Sequence, residues 1–495
     1  FSAFTQIDNM GQDSVAAWDN IIVDRVDVAK GPSGVLYGVG SPGGAINIIT
    51  KKPYHDAGWE QFFMRGASGS RGAFRGEVDM GGQMDEDGKI AWRFSGAMDK
   101  FVPGIAFGEQ LKIAIMPQIS FQFSERTRLH FQYVFQQIPD MVPWNERFPQ
   151  LNGVATLPDG TTRTTAISFV PGVPEDFNVD GPDSDRFDQN DMFTASLVHQ
   201  LNDNTNIKLT YRNTKREQER RNRFLAVRPQ FVDGVLTPNP VPVQIWRSEN
   251  DNDRNTLQAD VNFDWEIGES IRGNLVVGGS YNWSDTSSLI FWNRDTAWLT
   301  ENGFVLDILN PPVDKSDPRH FDQYKIGEFP ADFPGPQWRD QLSNNVSASP
   351  WVIFNSFFAE ERVNVMGGWR RDYRIRGRNR LFSRYDTDRE EITFANEQDL
   401  DTFMGGVSVS VADWENAEGG RDTLTAFANL SQAKNFNGFP FESSPRLGEG
   451  IEFGVKASLF AGKVYSTLSY FDLEQSNIPR RDPNFGGDLT LGGLL

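Results

Sequence analysis

Residues 30–53 read KGPSGVLYGVGSPGGAINIITKKP. Glycine and proline crowd the first half, β-branched residues fill the second, and Lys51-Lys52-Pro53 closes it. Gly31-Pro32 and Pro42-Gly43 are turn signals, and glycine permits positive φ and close approach of backbones. The stretch predicts one short strand over 25–29, a tight turn of chain at "SGVLYG", and a second short strand over "GGAINIITKK". Strands this rich in glycine suit a compact unit squeezed into a narrow space. Gly38, Gly40 and Gly43 satisfy G-x-G-x-x-G, but a dinucleotide fold needs a helix opening on the later glycines, and here a strand follows. Gly31-Pro32-Ser33-Gly34 lacks the spacing of a nucleophile elbow.

Beyond residue 57 the period is two. In "KIAWRFSGAMD" (89–99), Ile90, Trp92, Phe94 and Met98 share one face, while Arg93, Ser95 and Asp99 share the other, because strand side chains alternate. Ile113, Ile115, Ile119, Phe121 and Phe123 alternate with Lys112, Gln118, Ser120 and Gln122. Leu129, Phe131, Tyr133 and Phe135 alternate with Arg128, His130, Gln132 and Gln136. Leu257, Val261, Phe263, Trp265 and Ile267 alternate with Gln258, Asp260, Asn262, Asp264 and Glu266, and Ile451, Phe453, Val455 and Leu459 with Glu452, Lys456 and Ser458. Each run is about 10 residues, enough to cross a hydrocarbon core when tilted.

Connections alternate too. Turn-like ones fall near 83–88, 124–127, 202–205, 268–270, 359–362, 413–421 and 461–463. Long ones fall near 100–110, 138–190, 217–254, 285–340, 375–402 and 432–449. Short turns on one rim and large loops on the other are the pattern of an outer-membrane barrel, and loops this long are usually functional. A β-solenoid or propeller would need a fixed repeat of about 20–50 residues, and none is found. The fold class is all-β: a transmembrane antiparallel β-barrel with about 15 strands in this chain.

Composition agrees. The 495 residues contain no run of 18 apolar residues, which excludes a helical span but not a barrel, whose strands alternate. A net charge of −19 argues against nucleic acid as a partner. The absence of cysteine removes disulfides and thiolate metal sites. The chain opens mid-motif at Phe1 without a signal peptide and reads as a fragment or processed form.

The segment "VDRVDVAKGPSGVLYGVGSPGGAINIITKKP" (23–53) resembles the end of the plug domain of TonB-dependent outer-membrane receptors, especially the siderophore-receptor branch. The residues that carry the match are Arg25, Asp27, Lys30, Gly31, Pro32, Tyr37, Gly38, Gly43, Gly44 and Asn47; Asp27 stands where the family often has Glu. "VNVMGGWRRDYR" (363–374) resembles the barrel strand with a Gly-x-Arg-x-Asp pattern, here Gly368, Arg370 and Asp372. "EGIEFGVKASLFAGKVYSTLSYFDLEQSNI" (449–478) resembles a further barrel landmark, and the likeness spans about residues 20–480.

The resemblance implies the C-terminal part of a plug over 1–53 and a partial barrel over 54–495. The family barrel has 22 strands, so about six or seven are expected after residue 475. The family's plug begins with a TonB-interacting box, and none is read before Phe1. The tail "GGDLTLGGLL" shows no strand long enough to end a barrel. The implied function is uptake of an extracellular ligand, a ferric siderophore above all, through the outer membrane of a Gram-negative bacterium. TonB with ExbB and ExbD supplies the energy. Outer-membrane lipid and lipopolysaccharide surround a monomer that has no cofactor, structural metal or catalytic residue. A glycan, oligosaccharide or cobalamin ligand, a passive porin or adhesin, and an outer-membrane enzyme stay open as alternatives.

Arg25, Asp27 and Lys30 are expected to face lumen residues such as Arg93, Asp260 or Glu452 through screened, breakable ion pairs, or simply to be solvated. Arg beside aromatics can grip an anionic, aromatic-bearing ligand, so the candidate ligand residues are Trp144, Arg147 and Phe148 in one loop and Trp292, Arg294 and Trp298 in another, with Phe291 beside them and Arg-rich runs at 216–228 and 370–384. The same aromatics suit an interfacial girdle, and the arginines suit lipopolysaccharide. In 176–191, Asp176, Asn178, Asp180 and Gly181 match the first half of a calcium loop, but Phe187 replaces the bidentate glutamate, which favours a solvated acidic loop. His55, His130, His199 and His320 are too scattered to argue a metal site.

Overall fold

The structure is a computed structural model that describes residues 4–11, 18–30, 34–38, 44–55, 61–68, 72–105, 107–139, 141–142, 150–156, 162–169, 176, 178–179, 185–225, 230–232, 235–268, 270–292, 296–309, 337–383, 391–395, 397–415, 421–436, 445–460 and 462–477.

Four strands near the N-terminus form a small mixed sheet: β1 (Phe4–Ile7), β2 (Met10–Gly11), β3 (Val23–Lys30) and β4 (Gly44–Thr50), in the order β2-β1-β4-β3. β1 runs parallel to β4, and the other two pairings are antiparallel. Asp8 and Asn9 connect β1 to β2 with φ of 48° and 64°. Two left-handed residues give the hairpin turn whose twist matches its strands, and Asp and Asn tolerate that conformation best after glycine. Asn47 fastens the turn: its Nδ2 donates to Asn9 Oδ1 at 2.6 Å, and its Oδ1 accepts from the Asn9 N–H at 3.0 Å. The "SGVLYG" segment contains one helical turn, α1 (Gly34–Tyr37), closed by Gly38 N–H to Gly34 O at 2.7 Å.

Fifteen long strands follow: β5 (Gln61–Ser68), β6 (Phe74–Gln83), β7 (Ile90–Phe101), β8 (Glu109–Ser124), β9 (Thr127–Ile138), β10 (Asp185–Asn202), β11 (Thr205–Leu225), β12 (Val241–Ile267), β13 (Ile271–Trp292), β14 (Gln337–Phe358), β15 (Val363–Ser383), β16 (Gln398–Glu415), β17 (Arg421–Asn435), β18 (Arg446–Leu459) and β19 (Val464–Ser476). Each pairs antiparallel with the next, so the sheet is one continuous meander.

The alternation read from the sequence sorts onto its two faces. Leu257, Val261, Phe263, Ile451 and Phe453 are exposed on the outside, and Arg93, Ser95, Gln118, Ser120 and Gln132 are buried within. Aromatic neighbours mark the upper edge of the apolar band: Phe193 lies 6.5 Å from Tyr211, and Tyr281 5.7 Å from Trp283. The strands outrun that band. β12 has 27 residues, about 90 Å of chain at ~3.3 Å per residue, against an apolar belt about 25 Å tall. Its outward side chains change from Val261 and Leu257 to Asn255, Asp253, Asp251 and Glu249 above the girdle.

This corrects the loop boundaries. Within 217–254, 285–340 and 375–402, residues 217–225 and 241–254 belong to β11 and β12, 285–292 and 337–340 to β13 and β14, and 375–383 and 398–402 to β15 and β16. Backbone pairing persists where lipid ends, while the apolar alternation that betrays a strand stops, because the outward face meets water. The stretch 176–191 read as an acidic loop is also shorter than expected: Phe187 lies inside β10, and Asp180 and Gly181 lie outside the described residues.

Candidate functional site

The small sheet sits inside the barrel against one wall. Ile7, Ile21 and Ile22 pack with Ala97, Ala114, Met116, Val134 and Met192 of β7–β10, joined by Trp18, Val23 and Ile48. Those barrel residues occupy inward-facing positions that are polar elsewhere along the same strands. Each buried isoleucine contributes about 2 kcal/mol, so this apolar patch supplies most of the attachment. Burying the charges that surround it gains little net energy.

Three ionic latches surround the patch and fix its register. Asp8 accepts from Thr50 N–H at 3.0 Å, Thr50 Oγ1 at 2.8 Å and Lys52 Nζ at 3.1 Å, and lies 3.6 Å from Arg212 of β11. Arg212 also donates to the Ile7 carbonyl at 2.6 Å. Asp19 accepts from Arg75 Nη2 at 2.6 Å and Nη1 at 3.1 Å, from Lys112 Nζ at 3.1 Å and from Ile21 N–H at 2.9 Å. The Asp19 N–H donates to Gln136 Oε1 at 2.7 Å. Burial would raise the Asp19 carboxyl, but the hydrogen bonds from Arg75 and Ile21 and the Lys112 charge hold it at about 2. Burial opposes ionisation of Asp8 as well, and Lys52, Arg212 and Thr50 together bring it below the ordinary value. Lys51 Nζ meets Asp79 Oδ2 at 2.8 Å, and Asp79 also accepts from Arg93 at 2.9 and 2.8 Å.

Across the lumen, α1 presses on β15, β16 and β17. An added Cβ at Gly34 would lie 2.8 Å from the Gln432 carbonyl, and one at Gly38 would lie 2.7 Å from the Arg370 guanidinium. Arg370 stacks 4.8 Å over Trp351 and donates to Asp372 at 2.9 Å. The sequence pattern Gly368, Arg370 and Asp372 is thus the barrel surface against which α1 rests.

Between the β1–β2 hairpin and β11–β15 lies a cavity of about 750 Å³. Its hairpin side is Gln6, Asn9, Met10 and Gly11; its wall includes Lys208, Arg254, Thr256, Gln258, Asp260, Ser349 and Trp351. A second cavity of about 370 Å³ lies toward the long-loop end, lined by Asn252, Ser284, Thr286, Ser343 and Asn345 among others. Higher on the wall, Asp188 gathers Arg186 at 2.7 Å, Arg216 at 2.8 Å and Gln218 at 2.8 Å. The rim loops carry their own core: Val179, Val241, Val243, Leu306 and Ile308 are fully buried, with Phe107 and Leu225 against them.

The residues singled out from the sequence are placed as follows. Asn47 holds the hairpin turn, Gly38 contacts Arg370, and Gly44 pairs with Lys30 at the start of β4. Gly31, Pro32, Gly43 and the side chains of Lys30 and Tyr37 lie outside the described residues, as do Trp144, Arg147, Phe148, Arg294 and the Trp292 side chain. Trp298 sits on the short helix α2 (Thr296–Glu301) and stacks on Phe304 at 5.4 Å.

The expected pairing of Arg25 and Asp27 with Arg93, Asp260 or Glu452 is not what the structure has. Arg25 binds Asp27 at 3.2 Å and Asp24 at 3.6 Å on β3 itself, the edge strand of the small sheet. Arg93 is held by Asp79, and Asp260 accepts from Gln258 at 2.9 Å. The latches that the reading missed are Asp8, Asp19, Lys51 and Lys52. Their readable signal was apolar residues at inward parity, Ala97, Ala114, Met116, Val134 and Met192, which mark where something must cover the wall.

A small sheet latched inside an antiparallel meander with an apolar exterior defines the plug-and-barrel fold. The comparisons agree. The chain is 24% identical over 495 positions to the metal-pseudopaline receptor CntO of Pseudomonas aeruginosa, covering 95% of this chain and 59% of that protein. It is 28% identical over 205 positions to the ferrioxamine B receptor of Salmonella typhimurium, covering 40% of this chain and 26% of that receptor. Its fold matches the siderophore receptor PiuA from Acinetobacter baumannii with a TM-score of 0.72 at 17% identity, over 94% of this chain and 64% of that one. It matches the ferripyoverdine receptor of Pseudomonas aeruginosa with a TM-score of 0.72 at 18% identity, over 97% and 58%. No protein-family model matches. The chain spans about 59% of the length of the curated relative it matches along its length. Its relatives and neighbours are receptors for siderophores and metal chelates, among them the ferrichrome outer membrane transporter of Escherichia coli.

Proposed function

We propose that this chain is the plug end and most of the barrel of a receptor that binds an extracellular ferric siderophore and admits it to the periplasm with energy from TonB, ExbB and ExbD. Residues 1–53 then form the C-terminal part of the plug, and 54–495 the barrel. The observation that carries the reading is the off-centre plug. It is latched to β6–β11 by buried ion pairs and leaves a polar cavity of about 750 Å³ along the opposite wall. A blocked lumen that must pass a large solute needs work done on the plug, which a passive porin does not. Trp144, Arg147, Phe148, Trp292, Arg294 and Trp298 are the residues proposed for first contact with the ligand.

Uptake of radiolabelled ferric siderophores by cells making the full-length protein tests this. Accumulation that disappears without TonB is expected. Iron entry that persists without TonB would favour a passive pore, and TonB-dependent uptake of an oligosaccharide or cobalamin in place of iron would move the protein to the other transport reading.

A further inference from the structure

The two lumen cavities share five lining residues: Arg254, Asn282, Ser347, Arg374 and Phe436. Both charged members are arginines. In a chain with 67 acidic and 48 basic residues, a cation-only junction runs against composition. Two carboxylates line the larger cavity outside this junction: Asp372 Oδ1 accepts from Arg370 at 2.9 Å, and Asp260 accepts from Gln258 at 2.9 Å and keeps its charge. No carboxylate lines the smaller cavity among the described residues.

Arg374 is the unusual one. Its guanidinium stacks over Phe436 at 4.3 Å and makes no hydrogen bond or ion pair with any described residue. The half-buried fork lines both cavities, and a charge-assisted hydrogen bond from it to an oxyanion is of the strong kind. Its planar geometry suits two oxygens of a single group. Ser347 lies directly across from Arg374 on β14, and Asn282 directly across from Ser347 on β13. Both are neutral hydrogen-bonding groups that can complete a shell around an anion without repelling it. A cation-lined cleft between low-dielectric walls also concentrates anions.

We infer that the junction of the two cavities is an oxyanion site, with Arg374 on its Phe436 platform as the principal donor and Arg254 as the second cation. The group it takes is a carboxylate carried by the metal chelate. The transported complex is therefore anionic, and a neutral hydroxamate lacks the handle. Naming a chelate as the bearer rests on the transport reading above; the site itself does not.

The test is a titration of the purified full-length receptor with citrate, ferric citrate and inorganic phosphate, followed by tryptophan fluorescence because Trp351 lines the larger cavity. Saturable, salt-sensitive binding of citrate and ferric citrate is expected. Arg374→Gln should weaken it about tenfold or more. Arg374→Lys should fall between the two, since a point charge replaces the fork. Thermal melting of both variants accompanies the titrations. Equal affinity in wild type and a folded Arg374→Gln overturns the site. Should that variant not fold, an Arg374→Lys affinity equal to wild type overturns it as well. Phosphate binding as tightly as citrate overturns the chelate carboxylate in favour of a small free anion. The titration reads binding alone. A receptor that binds citrate through Arg374 but imports no iron keeps the site and loses the transport reading; one that imports iron while Arg374→Gln binds citrate normally does the reverse.

Discussion

Asp19→Asn probes the plug latch that the structure makes most complete. The wild-type carboxylate is 2% exposed and takes four contacts, two from Arg75, one from Lys112 and one from the Ile21 N–H. Asparagine keeps the acceptor for Ile21 but offers an amide donor where one oxygen stood, so a donor faces the barrel cations. Arg75 is cushioned, because Glu77 still accepts from its Nε at 2.6 Å and Asp99 lies 3.8 Å away. Lys112 loses its one ion pair among the described residues, and its side chain is 16% exposed. Breaking a buried pair on one side costs about 3–5 kcal/mol. The cushioning of Arg75 places this case near the lower end, about 3 kcal/mol, or roughly a hundredfold in the docked-to-undocked ratio of the plug.

Hydrogen exchange in the full-length receptor reads that ratio directly. Amides of Ile21, Ile22 and Val23 should exchange roughly a hundredfold faster in Asp19→Asn, while barrel amides of β12 and β13 keep their rates. Adding Lys112→Met removes the stranded charge and should restore part of the protection. Plug exchange within about threefold of wild type in the single variant, well under 1 kcal/mol, would sink the claim that losing this carboxylate strands a buried charge. A double variant no better than the single would show that Lys112 is not the charge left uncompensated.

Other perturbations separate the remaining forces. Acid should loosen the plug late: Asp8 and Asp19 are held below their ordinary value of 3.8. Both contributions are therefore present well above that value and fall away below it, that of Asp19 being lost as pH drops toward about 2; plug exchange that rises already between pH 7 and 5 would contradict it. Gly34→Val should unseat α1, because the colliding groups are the Gln432 carbonyl and the Ala433 backbone, which cannot rotate away; faster exchange at Val35 and Leu36 reads it. Val261→Arg and Asp251→Arg sit on the outward face of one strand but on either side of the girdle. The first should destabilise the barrel by about 2–4 kcal/mol in urea unfolding from vesicles and the second by under about 1 kcal/mol.

The fold was legible in the sequence wherever lipid writes it. Between Leu257 and Ile267 the outward side chain must be apolar at every second position, and that constraint alone reveals the strand. Above Asn255 the same strand carries Asp253, Asp251 and Glu249 outward, and period two dissolves into polarity although the ladder to β11 and β13 continues without interruption. Such a segment reads as loop because water, unlike lipid, places no demand on its outer face. The fifteen strands were therefore countable while their lengths were not.

The plug's anchorage was hidden for a different reason. Asp19 and its partners Arg75 and Lys112 are 56 and 93 positions apart, and Asp8 and Arg212 are 204 apart. No local pattern joins such pairs, so charges were assigned to Arg25 and Asp27 because those stand beside the recognisable "KGP". What breaks the tie is the inward apolar set. A barrel lumen gains nothing from Met116, Val134 and Met192 facing water, so these three residues require a cover, and the strands that carry them name the wall on which it rests. The charged residues near that wall, Arg75, Lys112 and Arg212, are then the ones that need counter-charges from the plug, and Asp8 and Asp19 supply them. On the opposite wall Thr256, Ser280, Asn282, Ser347 and Ser349 replace the apolar set; polar side chains need no cover, and the cavity of about 750 Å³ lies there.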